Sequence, residues 1–102
     1  MLNDTLKKRW AVVGFNYETA KKIILEIADN CGKEIEKKRI TQNEIGIYFS
    51  DGTTLKWVRV SDSSRGHKFG KMWADKNIAK EDIYHYVVLP CYLGKREDII
   101  WI

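Results

Sequence analysis

The sequence has little of what punctuates or staples a chain: one proline and two cysteines in 102 residues. A lone Pro90 leaves no proline-rich linker, and neither repeats nor low-complexity tracts divide the chain, so one domain over residues 1–102 is expected. Cys31 and Cys91 are too few for a disulfide framework. Neither lies in a CxxC pair or has a histidine at metal-ligand spacing, so both are expected as small buried thiols, with no metal. No apolar run approaches the roughly 18 residues that a membrane span requires. The N-terminal "MLNDTLKKRW" has no apolar stretch behind its charges, so no signal peptide is expected. A cytoplasmic protein with no membrane partner is the resulting expectation.

What is present is ordinary globular material, 44% hydrophobic and 31% charged, with a formal charge of +4. The placement of that charge says more than its sum. Residues 1–22 carry Lys7, Lys8, Arg9, Lys21 and Lys22 against two acids, and residues 61–80 carry Arg65, Lys68, Lys71, Lys76 and Lys80 against Asp62 and Asp75. Each segment is net +3, residues 23–60 balance at zero, and the remainder is net −2. Clustered positive charge attracts phosphate-rich or acidic partners.

Periodicity supplies the elements. "RWAVVGFN" reads as a strand, with Asn16 placed to cap a helix over about 17–31. Ala20, Ile23, Ile24, Ile27 and Cys31 form one apolar stripe at helical spacing, and Gly32 stands where a helix stops. "NEIGIYFSDGTTLKWVRV" reads as a β-hairpin over 44–60 around Asp51-Gly52, the dipeptide of a two-residue type I′ turn. That register sets Phe49 opposite Thr54, Ile47 opposite Lys56 and Ile45 opposite Val58. Both faces are then apolar, with Tyr48, Leu55 and Trp57 on the second, so the hairpin is expected to be covered on both sides. A homodimer is expected if the chain itself lacks the second cover. "EIEKKRI" adds a more polar strand, "KMWAD" a short one, and "AKEDIYHYVV" a second helix over about 79–88 that Pro90 stops. "DIIWI" is expected as a buried strand. The fold class is α/β or α+β, a sheet of about four to six strands with two helices against it.

The stretch "SDSSRGHKFGKMWADK" has the vocabulary of a nucleotide site without its spacing. A phosphate-binding loop needs G-x-x-x-x-G-K-[ST], whereas Gly66 and Gly70 are separated by three residues and Lys71 is followed by Met72. ATP hydrolysis is not expected. The order of features nonetheless resembles the middle of a phage terminase large-subunit ATPase core: "F-x-D-G-T-x-L" on a strand, a Ser-rich loop with Arg-Gly, then an apolar run ending in Asp. Phe49, Asp51, Gly52, Thr53, Leu55, Ser64, Arg65, Gly66, Phe69 and Asp75 carry the likeness, over about a third of the chain. The sequence also looks similar to small phage and prophage proteins. The resemblance implies a phage origin, a host-cytoplasmic location and a nucleic-acid setting, without catalysis.

No catalytic residue or cofactor is assigned, and the balance is against an enzyme. Asp75 reads as a helix cap or an ion-pair partner of Arg65 rather than a magnesium ligand, and no nucleophile is placed beside His67 or His85. The expected function is non-enzymatic binding of nucleic acid, or of a protein that handles it, through a basic Arg-Gly loop. Arg65, His67, Lys68 and Lys71 would contact phosphates or acidic side chains, Gly66 would permit close approach, and Trp73 would be exposed to stack. Lys7, Lys8 and Arg9 would extend the patch. Two other classes fit the same features: an inhibitor of a host defence enzyme of anti-CRISPR type, and a degenerate nucleotide-binding protein or small nuclease.

Overall fold

The computed structural model describes residues 4–60 and 68–102. One helical turn, α1 (Asp4–Lys7), leads into β1 (Arg9–Val13). Helix α2 (Tyr17–Asn30) follows, then β2 (Ile35–Ile40), β3 (Ile45–Phe49), β4 (Thr54–Val58) and β5 (Lys71–Ala74). The C-terminal part runs through a 3₁₀ turn (Lys76–Lys80), a π-helical turn (Tyr84–Val88), the short α3 (Leu89–Cys91) and a second 3₁₀ turn (Arg96–Asp98) to β6 (Ile100–Trp101). The six strands form one sheet in the order β2-β3-β4-β1-β5-β6. β2 pairs antiparallel with β3 and β3 with β4, whereas β4, β1, β5 and β6 run parallel. The fold is therefore mixed α/β, as composition and periodicity indicate.

Helix α2 forms where its stripe and cap place it. The Asn16 side chain accepts a hydrogen bond from the Thr19 amide at 2.8 Å, satisfying a donor that the first helical turn leaves open. Gly32 takes φ +74 just beyond the helix, which only glycine adopts at little cost. The buried side of α2 (Ala20, Ile24, Ala28) packs on Val12, Ile45, Ile47, Phe49, Leu55 and Trp73, filling one face of the sheet. On the other face Ala11, Val13, Met72 and Ala74 are covered by Ile78, Tyr84, Val88 and Cys91 of the C-terminal turns. The two cores are separate layers on either side of one sheet. Both cysteines are thiols, Cys31 half-buried and Cys91 buried.

The hairpin departs from the expected register by one residue. Gly46 pairs with Lys56, Ile47 with Leu55 and Tyr48 with Thr54. The loop is Ser50-Asp51-Gly52, closed by Phe49 N–H to Thr53 O at 2.9 Å and Gly52 N–H to Phe49 O at 3.1 Å. A type I′ turn requires positive φ at both central residues, but among the described residues only Phe15 is a non-glycine with positive φ, and Gly52 alone carries it here at +92. This is the three-residue loop with a left-handed glycine. Burial selects it. A slip of one residue would turn Leu55 away from the α2 layer, where it is wholly buried with Ile47 and Phe49. The second face of the hairpin consequently carries Gly46, Tyr48, Thr54 and Lys56 and is apolar only at Val58, which joins the other core layer, so the expectation of a two-sided apolar hairpin is corrected.

The second helix forms slightly later than expected: after the 3₁₀ turn, residues 82–91 are continuously helical, with π geometry over Tyr84–Val88 and α geometry on either side. Pro90 lies in its last turn, and the helix ends one residue later at Cys91, where Tyr92 turns extended. One further expectation is corrected. "DIIWI" pairs as an edge strand: Ile99 is buried, but Ile100 is 39% and Trp101 41% exposed.

Candidate functional site: an open basic sheet face

The register that buries Leu55 also decides which side chains share the opposite face. Residues opposed across a ladder project to the same side. One rung therefore runs Lys37, Tyr48, Thr54, Arg9, and the next runs Arg39, Gly46, Lys56, Ala11, Met72. At the β5 end this face is roofed by the C-terminal turns. Over β2, β3 and the start of β4 no described helix covers it, and Lys37, Arg39 and Lys56 are exposed, whereas Val58 at the end of β4 belongs to the buried layer. The strand β2 that carries two of them is exposed at five of its six positions.

The open half is concave. A hollow of about 340 Å³ is bounded by Arg39, Asn43, Glu44, Tyr48, Lys56 and Arg59, with Gly46 in its floor. A second hollow of about 380 Å³ adjoins it along Lys56 and Val58 and reaches Arg9 and Lys68. The Tyr48 ring lies over Gly46, close enough that a Cβ there would make ordinary contact with it at 3.4 Å. The Lys56 ammonium stands 5.5 Å from the centre of that ring, an attraction between a cation and the electron-rich aromatic face. Among the described residues one acid lines the first hollow: Glu44, which bridges Arg39 at 3.1 Å with both side chains more than half exposed. Such a pair is worth little in water. An anionic ligand can take the guanidinium from it.

The residues expected from the sequence divide around this face. Arg9 and Lys68 border the second hollow beside Lys56. Lys7 and Lys8 are exposed, and Lys8 Nζ donates to the Asp51 carbonyl at 2.8 Å. Lys71 lies on the other side of the sheet, its ammonium 4.8 Å from the Trp10 ring and 5.0 Å from the Trp73 ring. Trp73 is 9% exposed and packs in the α2 layer, so its expected role as an exposed stacking ring is corrected. Strand alternation is the reason: β5 is buried on both faces, and lysines flanking a strand in sequence do not keep its side chains in solvent. Arg65, Gly66 and His67 lie outside the described residues. Lys37, Arg39, Tyr48 and Lys56 are not visible as a site in the sequence, because the balanced charge of residues 23–60 hides them.

Two polar groups at the carboxyl ends of the parallel strands, where open α/β sheets often hold ligands, are taken up by the fold's own bonds. Trp57 Nε1 donates to the Gly14 carbonyl at 2.9 Å, and the Asp75 carboxylate accepts from the Asn77 amide at 2.9 Å. Asp75 thus caps the 3₁₀ turn that follows. Burial pushes the Tyr84 and Tyr92 phenols above their ordinary range, so both are neutral packing groups near neutral pH. Among the described residues no cluster of His, Cys, Asp and Glu could hold a metal ion, and no helix is long and apolar enough to cross a membrane. Comparison with protein-family models, characterised proteins and solved structures finds no match to the chain.

Proposed function

We propose that this chain is a non-enzymatic binding protein that engages nucleic acid, or the acidic surface of a protein that handles nucleic acid. The observation that carries the reading is the face of β2-β3-β4 that no described helix covers, where Lys37, Arg39, Lys56 and Arg9 stand on two adjacent rungs around Tyr48. Four cations on one face with one weakly held acid make a surface that binds a polyanion by displacing the counterions condensed on it. The phage-terminase likeness of residues 49–75 favours a phage or prophage setting for this activity, in the cytoplasm of the host. The site is centred on the sheet, with Arg9 and Lys68 at its border and Lys71 and Trp73 outside it.

Electrophoretic retardation of DNA and RNA at two salt concentrations tests the reading. Replacing Lys37, Arg39 and Lys56 together by alanine should weaken binding and lower the slope of log affinity against log salt by about 2. That figure takes roughly 0.7 for each single-strand phosphate that the three side chains no longer neutralise. Unchanged affinity and slope in the triple variant would show that this face is not the site.

A further inference from the structure

We propose that the open face is built for single-stranded nucleic acid, laid across β2, β3 and β4 with one base set on the Tyr48 ring. This rests on the reading that the face binds nucleic acid and narrows it to one form. Two features point to an unpaired strand. The first is relief: the cations surround a hollow floored by Gly46 and do not stand on a projecting helix or ribbon of the kind that enters a duplex groove. A duplex offers such a surface only its phosphates. The second is the ring. Tyr48 lies half-exposed in the middle of the cations, with Lys37 beside it on β2 and Lys56 above it from β4. An aromatic face among cations gains from a base that can leave its own stack, and paired bases cannot do so. An acidic polypeptide would use the cations and leave the ring idle.

The spacing suits this arrangement. Lys37 and Lys56 flank β3 from neighbouring strands, roughly 12 Å apart across two inter-strand spacings and one rung, with the ring between them. A base entering the hollow takes the place over Tyr48 that the Lys56 ammonium holds. The flexible lysine stem then carries the charge to the flanking phosphate. Arg39 leaves Glu44 for a phosphate on the β2 side.

The test is fluorescence anisotropy with labelled single strands of about 12 nucleotides, a length within the usual span of one such binding face. The same duplexed sequence and poly-glutamate serve as rival probes. The wild type should bind the single strand at least tenfold more tightly than either rival. Tyr48→Leu should lose about tenfold or more for the single strand, as removal of one stacked base does. Its salt slope should be unchanged, and Tyr48→Phe should bind as the wild type. Circular dichroism checks that Tyr48→Leu is folded; Tyr48→Thr, a good strand former, replaces it if it is not. Equal affinity for single strand and duplex, or no weakening in Tyr48→Leu or its replacement Tyr48→Thr, overturns the proposal while leaving nucleic-acid binding by the face intact. Preference for poly-glutamate overturns it in favour of an acidic protein partner. Absence of binding to all three probes overturns this proposal and the broader reading together.

Discussion

Asp51 holds the hairpin loop from three directions. Its carboxylate accepts from Lys33 Nζ at 2.6 Å and from the Thr53 amide at 2.9 Å, and its carbonyl accepts from Lys8 Nζ at 2.8 Å. The Lys33 bond above all, then the Thr53 bonds, holds the carboxyl well below the ordinary carboxylate range. A folded-state value below the unfolded one means stability that is complete above the unfolded pKa, near 3.9, and is lost as pH falls toward the folded value. Asp51→Asn keeps an oxygen for Thr53 and removes the charge facing Lys33. The variant should therefore be less stable than the wild type at neutral pH, with the gap narrowing as pH drops below about 4. Urea midpoints at neutral pH and near pH 2 measure this, and a gap of constant size would show that the Lys33 pair contributes nothing. At this scale the sequence was only partly legible. The capping roles of Asn16 and Asp75 follow from residue type and position. The burial of Trp73 does not, because it depends on which neighbours pair with its strand.

Among the elements, α2 and the β2-β3-β4 meander make the contrast plain. Everything that defines α2 is local: a cap, a stripe at helical period and a terminal glycine, and each is found where periodicity puts it. The hairpin's existence is equally local, but its register is not. Asp-Gly fits both a two-residue and a three-residue loop, and the choice falls to the burial of Leu55 and Phe49 under α2, a tertiary fact. The second helix is legible in the same way as α2, since residues 82–91 are helical; its sequence does not show the π geometry of Tyr84–Val88, whose Tyr84 and Val88 pack in the layer with Ala11, Val13, Met72 and Ala74. Gly52 carries the register in its backbone. At φ +92 with nothing nearer to an added Cβ than Lys8 Cδ at 4.0 Å, a side chain would meet no clash and only backbone strain. Gly52→Ala should then cost about 1–2 kcal/mol, the left-handed penalty for one residue. Gly52→Asn should cost less, since asparagine visits that region more readily. Urea denaturation should show both as shifts of midpoint at constant slope, and a Gly52→Ala protein as stable as the wild type would mean the loop re-forms with another turn.

For the molecule as a whole, what matters is where its charge of +4 is displayed. Windows along the sequence point to the N-terminus and to residues 61–80, and miss Lys37, Arg39 and Lys56 because acids nearby in sequence balance them. The fold separates what the windows add together. Alternation sends Lys37 and Arg39 to one side of β2 and Lys38 to the other, and pairing across the ladders joins the first two to Lys56 from a strand some twenty residues on. The signal was present in "EIEKKRI" read at period two, but its value depended on the hairpin register. If placement rather than net charge drives binding, two variants of equal charge should behave differently. Alanine at Lys37, Arg39 and Lys56 and alanine at Lys22, Lys76 and Lys80, three exposed lysines on α2 and the first 3₁₀ turn, each lower the formal charge by the same amount. A uniform electrostatic attraction would weaken both equally. A face-specific contact weakens the first by one to two orders of magnitude at moderate salt and leaves the second within about twofold, because exposed charges beyond a Debye length of roughly 10 Å are largely screened. Retardation assays of both variants beside the wild type, at matched protein concentration and two ionic strengths, separate the two cases. Equal weakening would reduce the open sheet face to one part of a diffuse positive field.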